Sequence, residues 1–231
     1  MPSKELSDYR VMIAIPCLNT VNTAFFNSVM HMQNNGNACL TIESNSLIYD
    51  ARNNLTVKAM DTKADYILWI DSDMVFEPDL LVRLLEDALE NDADFVTALC
   101  FKRVFPTAPT IGKTLYWNQD KMGRVVSGAE LYKDYPKDQL FEIACSGLAC
   151  TLVKVSAIAE AAGACQMSPF QPLPGLSEDY SFCFRLKQIG KKMYCDSRIK
   201  VGHIGTLIFN EDTWLEQEAK KGDEQNAQED R

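Results

Sequence analysis

Tyr66 to Ile70 is an unbroken apolar run that stops abruptly in Asp71-Ser72-Asp73. Five residues are too few for a stable helix, so the run reads as a strand that is apolar on both faces. Such a strand has to be covered on both sides, the situation of a parallel sheet between two helical layers. Its neighbours follow the same pattern. Val11 to Ile15 is an apolar run closed by Pro16, Cys39 to Glu43 reads as a second strand, and Phe95 to Phe101 as a later one. Between them, Thr23 to Gln33 and Ser44 to Asp61 carry helix-spaced apolar residues, the first stopped by Asn34-Asn35-Gly36. In the second, Leu47, Ile48, Ala51, Leu55, Ala59 and Met60 are expected on the buried face, with Arg52 and Asn53 turned toward solvent or a cleft. Pro78 is well placed to open a further helix containing Leu81, Leu84, Leu85, Ala88 and Leu89. The alternation predicts one α/β domain with a mostly parallel central sheet flanked by helices.

The centre of the chain, Lys102 to Phe141, breaks that rhythm and suggests loops with a small antiparallel hairpin. Ile143 to Val153 is apolar again, Ser156 to Ala162 suits a short helix, and Pro169 to Gly175 is expected to be an irregular loop. Tyr180 to Ile189 reads as a helix closed by Gly190. From Glu211 the chain is charged and Gln-rich, so the catalytic body is drawn over residues 1–210 and a helical or disordered tail over 211–231.

At 231 residues the chain has room for one substantial domain. The net charge of −9 argues against a surface that holds nucleic acid by bulk electrostatics. The apolar runs are strand-sized, far short of the ~18 residues of a membrane span. Met1 to Arg10 is polar and mixed in charge, unlike a signal peptide. A cytoplasmic location follows as the expectation. The 8 cysteines contain no C-x-x-C pair and lie mostly in apolar runs, which suits reduced thiols packed as small core residues.

Three short segments carry chemistry. Asp71 and Asp73 would stand at the carboxyl edge of the sheet, where open α/β folds bind ligands. Their hard oxygens suit Mg²⁺ or Mn²⁺, but D-x-D alone is a weak signal, and the alternative is an exposed loop with two acids or a capping device for the helix after Pro78. Ser177-Glu178-Asp179-Tyr180 offers a carboxylate able to accept a proton, or simply acids favoured by a helix dipole. Val201-Gly202-His203-Ile204-Gly205 places a histidine between glycines, whereas His31, in a helix, reads as structural.

Taken in order along the chain, these segments resemble nucleotide-sugar glycosyltransferases of the type-A fold, a Rossmann-like single domain, and family 2 in particular. The resemblance rests on Ile13-Ala14-Ile15-Pro16-Cys17-Leu18-Asn19, Ala51-Arg52-Asn53, the run from Trp69 to Pro78, Ser146-Gly147-Leu148-Ala149, Glu178-Asp179 and His203. It implies a donor of the UDP- or GDP-sugar type held with Mn²⁺ or Mg²⁺. By the same resemblance Asp73, Asp71 and His203 would serve the metal. Pro16, Asn19, Arg52, Asp71 and Ser72 would contact the nucleotide. Asp179 would act as general base toward an acceptor hydroxyl, with Glu178 as the second candidate. The Gln/Arg-x-x-Arg-Trp motif of processive synthases does not follow Glu178-Asp179, which favours a single transfer.

Two other readings use the same residues. A phosphohydrolase of the haloacid-dehalogenase type also places D-x-D after an apolar strand, but on the first strand and with a later Asp-Asp pair that this chain lacks. A non-catalytic nucleotide-sugar-binding protein would keep the donor residues without turnover. Donor base, sugar, acceptor, stereochemistry and oligomeric state are not legible in the sequence.

Overall fold

A computed structural model describes residues 5–44, 47–205 and 208–229. The N-terminal half alternates as its patterning requires: β1 (Val11–Cys17), α1 (Thr23–His31), β2 (Ala38–Ser44), α2 (Ile48–Asp61) and β3 (Tyr66–Ile70), then β4 (Met74–Phe76), α3 (Leu80–Glu90) and β5 (Phe95–Leu99). The central segment forms the hairpin β6 (Gly112–Gln119) and β7 (Val125–Leu131), followed by β8 (Leu140–Glu142). The C-terminal part contains β9 (Cys150–Lys154), α4 (Val155–Cys165), α5 (Glu178–Gln188), β10 (Met193–Ile204), β11 (Ile208–Phe209) and α6 (Glu211–Glu229).

The main sheet has the order β11-β10-β5-β9-β3-β1-β2, with β4 and β8 both paired to β10. β1 is parallel to β2 and β3, and β10 is parallel to β5. β9 is inserted antiparallel between β3 and β5. Along the path β2-β1-β3-β9-β5-β10 the sheet is mostly parallel with β9 alone reversed, while the short strands β4, β8 and β11 lie antiparallel to β10. The reversal of β9 is one that local sequence does not encode, because β9 is as apolar as its neighbours. Alternate residues of each strand feed two cores. Met12, Ala14, Ile67 and Trp69 pack with Leu55 of α2, Ile158 of α4 and Phe182 of α5, while Val11, Ile13, Leu68 and Ile70 pack with Phe25 of α1 and Leu81 and Leu84 of α3. Both faces of β3 are thus covered, as its continuous apolar run demands.

Several elements differ from the sequence reading. α2 buries Ala51, Arg52, Leu55, Thr56 and Ala59, whereas Leu47, Ile48 and Met60 are exposed. The stripe is rotated because α2 must set a charged side chain under the end of β3. Asn45 and Ser46, included in the expected helix, lie outside the described residues. α3 begins two residues beyond Pro78, and β4 is an extra strand between β3 and Pro78. β10 is 12 residues long because a register shift between Asp196 and Lys200 lets it leave β5 and continue against β4. The first turns of α6 are anchored to the body: Trp214 is buried beside Phe101, and Gln217 brackets the peptide of Thr107, accepting from its N–H and donating to its carbonyl. Among the described residues no helix is long and apolar enough to cross a membrane.

Where α3 meets the shift in β10, two carboxyl groups face each other. Arg198 donates to Asp87 and to Asp196, each at 2.8 Å, and Arg83 approaches Asp196 at 3.8 Å. Burial, then the adjoining Asp196 carboxylate, pushes Asp87 up to about 7. Asp196, stabilised by Arg198 against the cost of its burial, is lowered. The folded protein therefore keeps a proton on Asp87 that the unfolded chain, with an ordinary carboxyl near 3.8, releases. The sign is that of a raised acid: its contribution is present in full below about pH 4 and is lost as pH rises through about 7. The lowered Asp196 acts oppositely, but only at the acid end of that window. We predict that urea midpoints of wild type fall between about pH 4 and about pH 7 more steeply than those of Asp87→Asn, which needs no proton. Equal slopes in the two proteins would refute the shared-proton arrangement.

Candidate active site

The carboxyl ends of β1 and β3 and the chain leaving β5 and β10 open into one cleft, a cavity of about 760 Å³ lined among others by Pro16, Asn19, Asp71, Ser72, Asp73 and His203. Backbone hydrogen bonds fix the acidic turn. Asp71 N–H donates to the Ala149 carbonyl at 2.9 Å, Met74 N–H closes the turn on the Asp71 carbonyl at 3.2 Å, and Ile204 N–H donates to the Asp73 carbonyl at 2.7 Å. The pairing of β4 with β10 sets Met74 opposite His203. A histidine far along the chain is thereby delivered to the side of Asp73.

His203 Nε2 lies 3.3 Å from Asp73 Oδ1, and Nδ1 is 3.0 Å from the Phe101 carbonyl. When Nδ1–H donates to that carbonyl, the Nε2 lone pair points at a carboxylate oxygen. Two acceptors aimed at one point require a cation between them. A proton can fill that role. Burial works against the imidazolium, but the Asp73 hydrogen bond outweighs it and raises the His203 pKa. Asp73 is correspondingly lowered, its burial being offset by His203 and then by Arg103. The same pair of donors, one hard oxygen and one imidazole nitrogen, fits a divalent cation such as Mn²⁺. Among the described residues no group of three or more His, Cys, Asp or Glu converges on one point, and Asp71 is paired with Arg52.

The Arg52 guanidinium is 2% exposed, donates to Asp71 Oδ1 at 2.9 Å, reaches Glu178 Oε1 at 3.5 Å and lies 5.4 Å from the centre of the Trp69 ring. Burial alone would lower its pKa, but Asp71, Glu178 and Asp179 together raise it. The position expected to face solvent or a cleft is therefore buried beneath the cleft, where it joins the two acidic segments. Asn53 is also turned inward enough to accept from the N–H of Phe170 at 3.2 Å.

Glu178 and Asp179 form the first turn of α5. Asp179 Oδ1 accepts from its neighbour Tyr180 N–H at 2.7 Å and from the Ser177 hydroxyl. Its Oδ2 faces Gly147, where a side chain would begin only 3.5 Å away. Burial, then the adjacent Glu178, pushes Asp179 up to about 6. Neither acid lines this cavity, and Arg52 pairs with one residue of each acidic segment, Asp71 and Glu178.

One charged cleft residue has no counterpart among the sequence-predicted site residues. Arg103 lines the cavity and forms an ion pair with Asp73 Oδ2. The available signal was a Lys-Arg pair just beyond the carboxyl end of a predicted strand, at the ligand-binding edge of such a sheet. It was obscured because the segment from Lys102 reads only as loop.

Solved structures share this fold. The chain aligns with protein A197 from STIV at 17% identity and a TM-score of 0.60, covering 85% of this chain and 86% of the other. It also aligns with GalNAc-T7, whose structure contains UDP, GalNAc and Mn²⁺, at 12% identity and a TM-score of 0.56. That alignment covers 85% of this chain but 44% of GalNAc-T7, so the present chain spans less than half of that protein. No curated protein sequence matches significantly. The model described as "Glycosyl transferase family 2" matches residues 33–145, just under half of the chain and including the acidic turn. The likeness to these two structures shows a shared α/β fold. Over residues 33–145 the chain is similar to glycosyl transferase family 2.

The arrangement around Arg52 makes a prediction. Removing one member of a buried ion pair typically costs about 3 kcal/mol or more. Arg52→Met is expected to lower unfolding free energy by about 3 kcal/mol in urea melts. Arg52→Lys should recover only part of it, since one ammonium cannot span two carboxylates as a planar fork does. A fully stable Arg52→Met would contradict the assignment of Arg52 as the joint between the motifs.

Proposed function

We propose that the protein transfers a sugar from a nucleoside-diphosphate sugar to an acceptor hydroxyl, in a single metal-dependent step at the cleft between β1, β3 and β10. The observation that carries this reading is the convergence of Asp73 and His203 on one point in the cavity entered from Pro16 and Asn19. The family match and the likeness to a structure holding UDP, GalNAc and Mn²⁺ support the donor class.

In this reading Pro16, Leu18, Asn19 and Ile48 supply walls for the base and ribose. Asp73 and His203 would hold Mn²⁺ or Mg²⁺, which when bound neutralises charge on the departing diphosphate. Ser72 lies between the two acids, where its hydroxyl can meet the ribose or a phosphate oxygen. Asp71, held by Arg52, is oriented for the nucleotide and is less free than Asp73 to act as a metal ligand. Arg52 is thus a positioning residue that acts on the nucleotide through Asp71. Asp179 would take the acceptor proton. Its raised pKa makes it a stronger base than an ordinary aspartate while leaving it ionised at neutral pH. Glu178, paired with Arg52, is less free to do so. The 8 free cysteines, Cys39 among them exposed, support a reducing, cytoplasmic setting.

Two experiments test the reading. Calorimetric titration of UDP, GDP and their sugar conjugates should show one nucleotide binding with Mn²⁺, lost with chelator and in Asp73→Ala. Failure of every nucleotide to bind a folded protein at millimolar concentration would remove the donor assignment. Once a donor and acceptor are in hand, kcat should rise with pH through about 6 as Asp179 loses its proton. Asp179→Asn should lower kcat by ~10²–10⁴-fold with donor binding intact. Binding without turnover toward any acceptor or water would instead favour a nucleotide-sugar-binding protein.

A further inference from the structure

Asp73 is held from both sides. Its Oδ1 meets His203, and its Oδ2 accepts from the Arg103 guanidinium. Arg103 is 55% exposed, so this contact is made by a side chain with room to move. The chain that carries it is by contrast firmly rooted. Lys102 N–H donates to the Ala108 carbonyl at 2.9 Å and Thr110 N–H to the Cys100 carbonyl at 2.9 Å, closing the base of the loop. At its far side Gln217 of α6 brackets Thr107, and the Phe105 ring lies 5.1 Å from that of Phe209. His203 is bonded to the carbonyl of Phe101, two residues before Arg103, so both groups that grip Asp73 hang from the same stretch of backbone.

Resting on the donor-site reading above, we propose that Arg103 is a mobile counter-cation of the donor site: it neutralises Asp73 in the donor-free protein and moves to the diphosphate oxygens when a divalent cation takes the carboxylate. The physical case is one of charge and reach. A guanidinium on Oδ2 and a metal ion on Oδ1 beside His203 would share one carboxylate, where their like charges repel, so the two cations compete for the charge of Asp73. Once displaced, Arg103 has five N–H donors, no acceptor capacity and no other carboxylate partner among the described residues. It lines the same cavity as Asp73, and phosphate oxygens match its planar fork. The anchoring of Thr107 and Phe105 keeps the loop in place, so the exchange requires side-chain rotation and no loop rearrangement. Arg103 is thereby a positioning residue in the resting protein and a direct ligand of the donor afterwards.

This assigns opposite signs to two binding equilibria, which a merely structural arginine would not do. Calorimetry on wild type, Arg103→Met and Arg103→Lys should be run with Mn²⁺ alone, then with UDP and GDP in its presence. Arg103→Met is expected to bind Mn²⁺ alone more tightly, by up to about fivefold, because it removes an exposed competing ion pair. It is expected to bind the nucleoside diphosphate with Mn²⁺ about tenfold or more weakly, through loss of charge-assisted hydrogen bonds. Arg103→Lys should restore competition with Mn²⁺ but only part of the diphosphate affinity. Raised salt should shrink both differences. Circular dichroism spectra matching wild type confirm that the variants fold. If wild type binds a nucleotide and Arg103→Met binds Mn²⁺ and nucleotide equally well, the exchange is disproved while the donor site stands. Weakening of both equilibria likewise overturns it. If wild type binds neither nucleotide, the donor-site reading falls and this inference with it.

Discussion

A guanidinium buried under the end of a β-strand is costly unless carboxylates surround it, and much of the candidate site follows from meeting that requirement at Arg52. α2 delivers the charge from one face of the sheet, Trp69 supplies an aromatic surface beneath it, and Asp71 and Glu178 satisfy it from two different loops. Because each partner is fixed by the same positive charge, the D-x-D turn and the first turn of α5 are held at a constant separation. The charge also divides the labour between the two aspartates of the turn: Asp71 is committed to Arg52, and Asp73 is left to face the cleft.

The second constraint is the path of β10. A strand that stayed in register with β5 would end near Asp196, and His203 would have no reason to approach β3. The register shift and the pairing with β4 carry the strand on to Met74, and the glycine at 202 allows Val75 and Ile208 to close over it, each within 2.6 Å of where a side chain would start. The same shift creates the buried Asp87–Asp196 contact bridged by Arg198. A fold irregularity thus builds half of the cleft on one side and a titrating pair on the other.

The C-terminal helix has a similar double character. Its composition is that of a solvated segment, and by composition alone it is set apart from the rest of the chain. Trp214, Gln217 and Glu211 nevertheless tie its first turns to Phe101, Thr107 and Tyr135. Three contacts in a charged stretch are enough to make it a brace for the loop bearing Arg103, and no average over the segment would reveal them.

Local patterning determined the elements that depend only on short-range physics. The apolar run into Asp71-Ser72-Asp73, the helix after Pro78, the hairpin in the broken centre and the glycine-closed helix from Tyr180 could be read because burial on both faces, helical spacing and turn residues leave a mark within a few positions. The order of motifs also sufficed to associate Pro16, Asn19, Asp71, Asp73 and His203, which do share a cleft. Tertiary structure alone decided that β9 runs backwards, that Arg52 is buried and not turned outward, that Asp71 and Asp73 face different partners, and that Arg103 meets Asp73. Each of these depends on which charge or strand edge is brought near which other across tens of residues. That is a matter of long-range packing and electrostatic compensation, and neither leaves a periodic signature in the chain.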